Sequence, residues 1–158
     1  MKKAKINELI KLRSLANFQF GNRIGETLFP EEIEVTHSKR TGRMREIYLN
    51  NEVIAIYRPR DGLFSLSLAG ARRVLEKNKD LPFEVVLEDI AVEFVSKGKS
   101  LFAKHVIESD MNIRPKDEVI IVNKKGELIA VGKATLSGTE MLSFKKGIAA
   151  RVRSGINQ

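Results

Sequence analysis

The amino-acid sequence predicts an α+β protein in two parts, and three observations carry that prediction. Short runs of alternating apolar and polar residues recur along the chain, set apart by turn residues, with a few helical stretches between them. Many short strands with a few short helices pack as α+β layers. The stretch Lys77-Asn78-Lys79-Asp80-Leu81-Pro82 reads as a linker, separating a small N-terminal α+β domain over 1–80 from a second domain over 81–158. The net charge is +8, and the excess sits in two places rather than being spread evenly. Lys39, Arg40, Arg43, Arg45, Arg58 and Arg60 face only Glu46 and Glu52 in one region, and Lys145, Lys146, Arg151 and Arg153 face no acid in the other. Such a balance suggests a polyanionic partner, of which nucleic acid is the commonest.

The elements follow in order. Ile6, Leu9, Ile10, Leu12, Leu15 and Ala16 fall close to an i, i+3, i+4 stripe, which predicts an amphipathic helix over 5–16. From Asn17 to Gly25 the period breaks and two glycines mark irregular structure, closed off by Pro30-Glu31-Glu32. Ile33, Val35 and His37 begin a half-exposed strand. Ser38-Lys39-Arg40-Thr41-Gly42 turns it into a return strand from Arg43 to Leu49, with Arg43 and Arg45 on one face and Met44 on the other. Asn50-Asn51 suits a tight hairpin because asparagine tolerates positive φ. Strands then run through Val53, Ala55 and Tyr57 and from Leu63 to Leu68, and a short helix starts at Gly70.

The second domain opens with a strand over 83–87 and a helix over 88–97 whose Ile90 and Phe94 are expected inward. Gly98, between helix and strand, reads as a C-cap, where positive φ costs glycine nothing. Ser100 to Phe102 is short and extended, and Pro115 marks a turn. Residues 118–123 and 127–134 form a hairpin about Lys124-Lys125-Gly126. Ser137 and Glu140 fit a capping box, and 148–152 make a last strand.

Chemistry is sparse. The absence of cysteine excludes disulfides, thiolate zinc sites and cysteine nucleophiles. His37 and His105 are too few and without evident partners for a metal site; Glu88, Asp89 and Glu93 read as a charged helix face; Ser100 has no evident base. There is neither a phosphate-binding loop with its lysine nor a dinucleotide fingerprint. No catalytic residue, metal or cofactor is therefore expected. No apolar run approaches the roughly 18–20 residues of a membrane span, and the basic Met1-Lys2-Lys3-Ala4-Lys5 is not followed by a signal-peptide core, so a cytoplasmic location without membrane contact is expected.

Five blocks in the second half carry a resemblance: Lys97-Gly98-Lys99-Ser100-Leu101-Phe102-Ala103-Lys104, Ile113-Arg114-Pro115-Lys116-Asp117-Glu118-Val119, Ala130-Val131-Gly132-Lys133-Ala134, Leu136-Ser137-Gly138-Thr139-Glu140-Met141 and the stretch from Phe144 to Arg153. In this order they resemble a PUA domain, the small RNA-binding fold named after pseudouridine synthases and archaeosine transglycosylases. Upstream, Phe18-Gln19-Phe20-Gly21, Thr41-Gly42-Arg43-Met44-Arg45, Asp61-Gly62-Leu63-Phe64-Ser65-Leu66 and Gly70-Ala71-Arg72-Arg73 resemble the domain that precedes the PUA in archaeal tRNA-guanine (archaeosine) transglycosylases. The chain thus looks like the C-terminal half of such an enzyme, pre-PUA domain plus PUA domain, as a stand-alone protein. Lys116 and Asn51 stand where the family has turn glycines, and His37 where arginine is usual. The catalytic barrel, with its aspartates and cysteine-bound zinc, has no counterpart in this sequence.

The resemblance implies a PUA-type mixed β-barrel with short helices and a groove for the acceptor end of tRNA. The residues it assigns to RNA are Lys97, Gly98, Lys99, Ser100, Phe102, Lys104, Lys145, Lys146, Gly147, Arg151 and Arg153, with the RNA backbone over Gly98 and the cations neutralising phosphates. Phe102 is expected in the core, stacking on a base being the alternative. Lys39, Arg40, Arg43 and Arg45 extend the footprint as a secondary set. The expected function is non-catalytic tRNA binding that presents substrate to an archaeosine-type modification enzyme. Partners are then tRNA or other structured RNA and a catalytic transglycosylase-like chain. The alternative is a protein-interaction subunit that docks a catalytic chain without touching RNA.

Overall fold

A five-stranded antiparallel sheet organises the first of two units, Met1–Lys79; the second is Asp80–Gln158. The structure, a computed structural model, describes residues 1–79 and 81–158, so Asp80 of the expected linker lies outside the described residues. In the first unit β1 (Lys2–Lys3), β2 (Glu34–His37), β3 (Met44–Leu49), β4 (Glu52–Arg58) and β5 (Leu63–Leu66) pair in chain order. Val35 lies opposite Ile47, Ile47 opposite Ala55, and Ala55 opposite Leu66, a buried row across four strands. Directly opposed residues share a face, so this row is the sheet's apolar side. Helices α1 (Ile6–Phe20) and α3 (Leu68–Lys77) contact the sheet, and α2 (Ile24–Leu28) contacts both helices.

Two expectations change in this unit. Helix α1 runs on to Phe20, past the predicted end at Ala16, because its core contacts are Leu12, Ala16 and Phe20 at four-residue intervals. The predicted stripe members Ile6 and Ile10 are 80% and 61% exposed. Asn17 does not break the helix: its Oδ1 accepts the Gly25 N–H at 2.6 Å, tying α1 to α2 within the stretch expected to be irregular. The third helix begins at Leu68, before Gly70, since the Ser67 hydroxyl accepts the Gly70 N–H and caps it. Asn50 and Asn51 do take positive φ, 52° and 66°, at the β3–β4 hairpin.

The second unit is a six-stranded mixed sheet. Its elements are β6 (Glu84–Leu87), α4 (Asp89–Ser96), β7 (Leu101–Phe102), β8 (Val106–Ser109), β9 (Glu118–Val122), β10 (Leu128–Ala134), α5 (Gly138–Ser143) and β11 (Ile148–Gly155). The strand order is β7-β11-β10-β9-β6-β8, with β6 parallel to β9 and the other pairs antiparallel. The two edge strands, β7 and β8, are consecutive in sequence and joined by the single 3-10 turn Ala103–His105. A three-residue connection between opposite edges requires the sheet to curl until they are neighbours, which makes a nearly closed barrel. Val85, Leu87, Leu101, Val119, Ile121 and Ile129 fill it.

Helix α4 reverses a prediction. Ile90 and Phe94 point outward, 68% and 59% exposed, while Ala91, Val95 and Ser96 are buried. The helix lies so close to the last strand that a Cβ on Gly155 would collide with the Ser96 carbonyl. Only small side chains fit beneath such an approach, and the bulky ones go to the outer face.

Candidate nucleic-acid interface

The interface begins at the end of α4. The Gly98 N–H donates to the Val95 carbonyl at 3.0 Å and the Lys99 N–H to the Phe94 carbonyl at 3.1 Å, a Schellman closure with Gly98 at φ 97°. The chain then enters β7, where Phe102 pairs with Ile148 of β11 and Leu101 with Ala150. The Ala103 N–H donates to the Gly147 carbonyl at 2.9 Å. These bonds bring the segment after α4 against the segment before β11, two stretches more than forty residues apart in sequence.

Two concavities meet there. One, of about 200 Å³, is lined by Phe102, Lys104, Lys145, Lys146 and Gly147. The other, of about 430 Å³, is lined by Ala91, Phe94, Val95, Lys99, Ser100, Phe102, Lys104 and His105. They share Phe102 and Lys104. Phe102 is 46% exposed, so the expectation of a core role is corrected: β7 is a two-residue edge strand that buries Leu101 and turns Phe102 out. Lys99, Lys104, Lys145 and Lys146 are exposed, and among the described residues none of them forms an ion pair.

The other predicted residues lie differently. Lys97 is exposed and pairs with Glu93 at 3.3 Å one helical turn back. Gly98 is not open to a backbone approaching from its side-chain direction: a Cβ there would sit 2.8 Å from Cδ of Gln158, whose Oε1 accepts the Gly155 N–H. Arg151 is exposed on β11, opposite Lys133 of β10. Arg153 is held by Glu118, with Nη1 3.0 Å from Oε1 and Nη2 on Oε2, and the Glu118 side chain is fully buried. That guanidinium compensates a buried carboxylate while its own side chain stays about a third exposed. In the first unit Lys39, Arg40, Arg43 and Arg45 are exposed around the β2–β3 turn, with Met44 buried between the last two.

Sequence reasoning missed Phe94 and His105 as lining residues. The i, i+4 pair Ala91 and Val95 carried the signal for the true core face of α4, but small residues weigh little beside Ile90 and Phe94 in a hydrophobic count. Both histidines also have partners. His105 Nδ1 lies 2.5 Å from Glu88 Oε1, beside the Glu88 N–H bond to the His105 carbonyl. His37 Nε2 lies 2.6 Å from Glu8 Oε2. Burial pushes the Glu8 carboxyl up, but the Lys5 N–H, the His37 hydrogen bond and the nearby positive charges outweigh it and hold Glu8 below the ordinary carboxylate range. No group of three or more potential metal ligands occurs among the described residues.

Exposed lysines around an exposed ring offer charge to phosphates and a face to an unstacked base. Comparison with known families makes that reading specific. Residues 11–80 match the patch-forming domain C2 of tRNA-guanine transglycosylase, and residues 83–156 match the PUA domain. The chain thus carries a C2 domain of the tRNA-guanine transglycosylase type followed by a PUA domain. It is 42% identical over 151 residues to the tRNA-guanine(15) transglycosylase of Methanothermobacter thermautotrophicus, covering 95% of this chain and 23% of that protein. To the Thermococcus kodakarensis protein of the same name it is 39% identical over 148 residues, covering 92% and 25%. The chain therefore spans about a quarter of the length of these relatives. In fold it is similar to a hypothetical protein from Pyrococcus horikoshii, with a TM-score of 0.79 and 21% identity over 98% of this chain and 93% of that one. A conserved PUA domain protein from Thermoplasma acidophilum gives 0.66 and 20%, over 93% and 87%. The two matched domains are RNA-binding rather than catalytic, and they point to RNA binding in the setting of tRNA modification. Among the described residues no helix is long and apolar enough to cross a membrane.

Proposed function

We propose that the second unit binds the acceptor end of tRNA on the surface shared by Phe102, Lys99, Lys104, Lys145, Lys146 and Gly147, and that the chain presents tRNA to a modification enzyme of the archaeosine type. The observation that carries this reading is the pairing of Phe102 with Ile148, which gathers four lysines without ion pairs among the described residues about the exposed Phe102 ring. Lysines supply charge to the phosphates without reading sequence. An exposed ring gives an unpaired 3′ nucleotide a face to stack on. Arg151 adds charge to the second unit, the secondary set Lys39, Arg40, Arg43 and Arg45 gives the first unit a basic surface of its own, and the chain works in the cytoplasm, without a cofactor, beside a catalytic transglycosylase-like chain. Catalysis belongs to that partner.

A second reading rests on Ile90 and Phe94, whose exposure on one face of α4 suits a protein partner as well as a base. Titrating tRNA transcripts with and without the 3′ end against salt separates the two. The RNA reading expects 3′-end-dependent binding, with log affinity falling against log salt by about 0.7–0.9 per phosphate neutralised. Lys145→Gln with Lys146→Gln should flatten that slope and leave folding intact. Equal affinity for any polyanion, or no dependence on the 3′ end, would overturn it.

A further inference from the structure

A second concave site lies wholly within the first unit. It is a cleft of about 540 Å³ lined by Asn7, Glu8, Lys11, Thr41, Gly42, Arg43, Met44 and Tyr57. Sites for small ligands commonly hold about 300–1,000 Å³, so one nucleotide fits. Its cations come from different elements, Lys11 from α1 and Arg43 from the turn before β3, and among the described residues neither forms an ion pair. The carboxylate in the cleft is already engaged. Glu8 accepts the Lys5 N–H at 2.9 Å on Oε1 and meets His37 at 2.6 Å on Oε2. Positive charge is thus left over for an incoming anion.

The cleft also has an aromatic wall. The Tyr57 ring packs edge-on against buried Phe64, with centroids 5.9 Å apart. Lys11 Nζ stands 5.8 Å from the Tyr57 centroid, a cation–π contact that holds the ammonium at the cleft while leaving its hydrogens for an acceptor. At the rim, Gly42 has φ 74°, and a Cβ there would meet nothing within 4 Å, so the turn is open to an approaching chain.

We propose that this cleft seats an unpaired nucleotide of bound RNA, its phosphate on Lys11 and Arg43 and its base against Tyr57. The inference rests on the RNA-binding reading above but concerns different residues. A single strand is favoured over a duplex because the cations and the ring line a concavity, which a stacked and paired nucleotide does not enter. Asn7 provides a neutral amide for a base edge.

The experiment measures binding of the full chain to a short single-stranded oligouridylate and to a blunt RNA hairpin across a salt series. Lys11→Gln with Arg43→Gln, both exposed, should weaken oligouridylate binding about tenfold and reduce the salt slope by about 0.7 for each phosphate no longer neutralised. Hairpin binding should change far less. Tyr57→Leu should weaken oligouridylate binding at unchanged salt slope, and Tyr57→Phe should not. Unchanged oligouridylate affinity in the Lys11/Arg43 variant overturns the inference. An equal loss for hairpin and oligouridylate overturns it too, since the cleft would then only add charge. If only Lys145→Gln with Lys146→Gln weakens oligouridylate binding, the RNA-binding reading stands and the cleft does not; if neither pair matters, the RNA-binding reading itself fails.

Discussion

The two basic clusters, Lys39 to Arg45 in the first unit and Lys145 to Arg153 in the second, each contain four cations, yet the fold uses them differently. In the first, Lys39 and Arg40 stand on an exposed turn, Arg43 lines a cleft, and Arg45 is exposed beyond buried Met44. In the second, Lys145 and Lys146 line a concavity with an exposed ring, Arg151 sits on an exposed strand position, and Arg153 neutralises a buried glutamate. Charge in a sequence counts cations; only the fold decides which remain available. A cation bound to a buried carboxylate is tied to the core through its partner, and one beside an exposed aromatic is part of a surface that can bind.

The largest test of that difference lies within β11. Arg153→Met leaves the buried Glu118 carboxylate without its guanidinium and should lower unfolding free energy by about 3–5 kcal/mol. Arg151→Met, two residues away and exposed, should stay within about 0.5 kcal/mol. Urea denaturation compares them, and equal costs would erase the distinction between a cation paired with a buried carboxylate and an unpaired one. Next in size, Phe102→Ala should cost about 1–3 kcal/mol of RNA binding by removing the stacking face. It should move Tm little, because the ring is 46% exposed. A large drop in Tm with unchanged RNA affinity would return Phe102 to a structural role.

The smallest effect concerns the edge of the first unit's cleft. Folding holds the Glu8 carboxyl below its ordinary value of 4.5, so the ionised form stabilises the folded chain above that pH. The contribution disappears as pH falls through the lower folded value. The stability difference between wild type and Glu8→Gln should therefore shrink as pH falls below about 4.5. A difference that stays flat into the acid range would show that the Lys5 and His37 contacts do not matter to folding.

Much of the fold was legible because it depends on local chemistry. The Gly98 cap, the capping box at Ser137 and Glu140, and the positive φ at Asn50 and Asn51 each follow from residues adjacent in sequence. What was not legible depends on distant packing. Phase on α4 is decided by how close the helix lies to Gly155, and that distance is set by a strand some sixty residues later. The extension of α1 to Phe20 rests on burial of Ala16 and Phe20 against residues distant in sequence, and on the Asn17 side chain accepting a backbone amide eight residues on. The role of Arg153 needs Glu118, thirty-five positions away. The lysines of the candidate site were named from sequence, but that Phe102 stands exposed among them follows from an edge strand only two residues long.

The central claim is that RNA lies on the surface around Phe102, and ultraviolet crosslinking of the full chain to a tRNA transcript, mapped by mass spectrometry, tests it most directly. Crosslinks should fall on Phe102 and on the peptides carrying Lys104, Lys145 and Lys146, and removing the 3′ end of the tRNA should abolish them. Crosslinks absent from those residues, or present equally with a transcript lacking its 3′ end, would contradict the account.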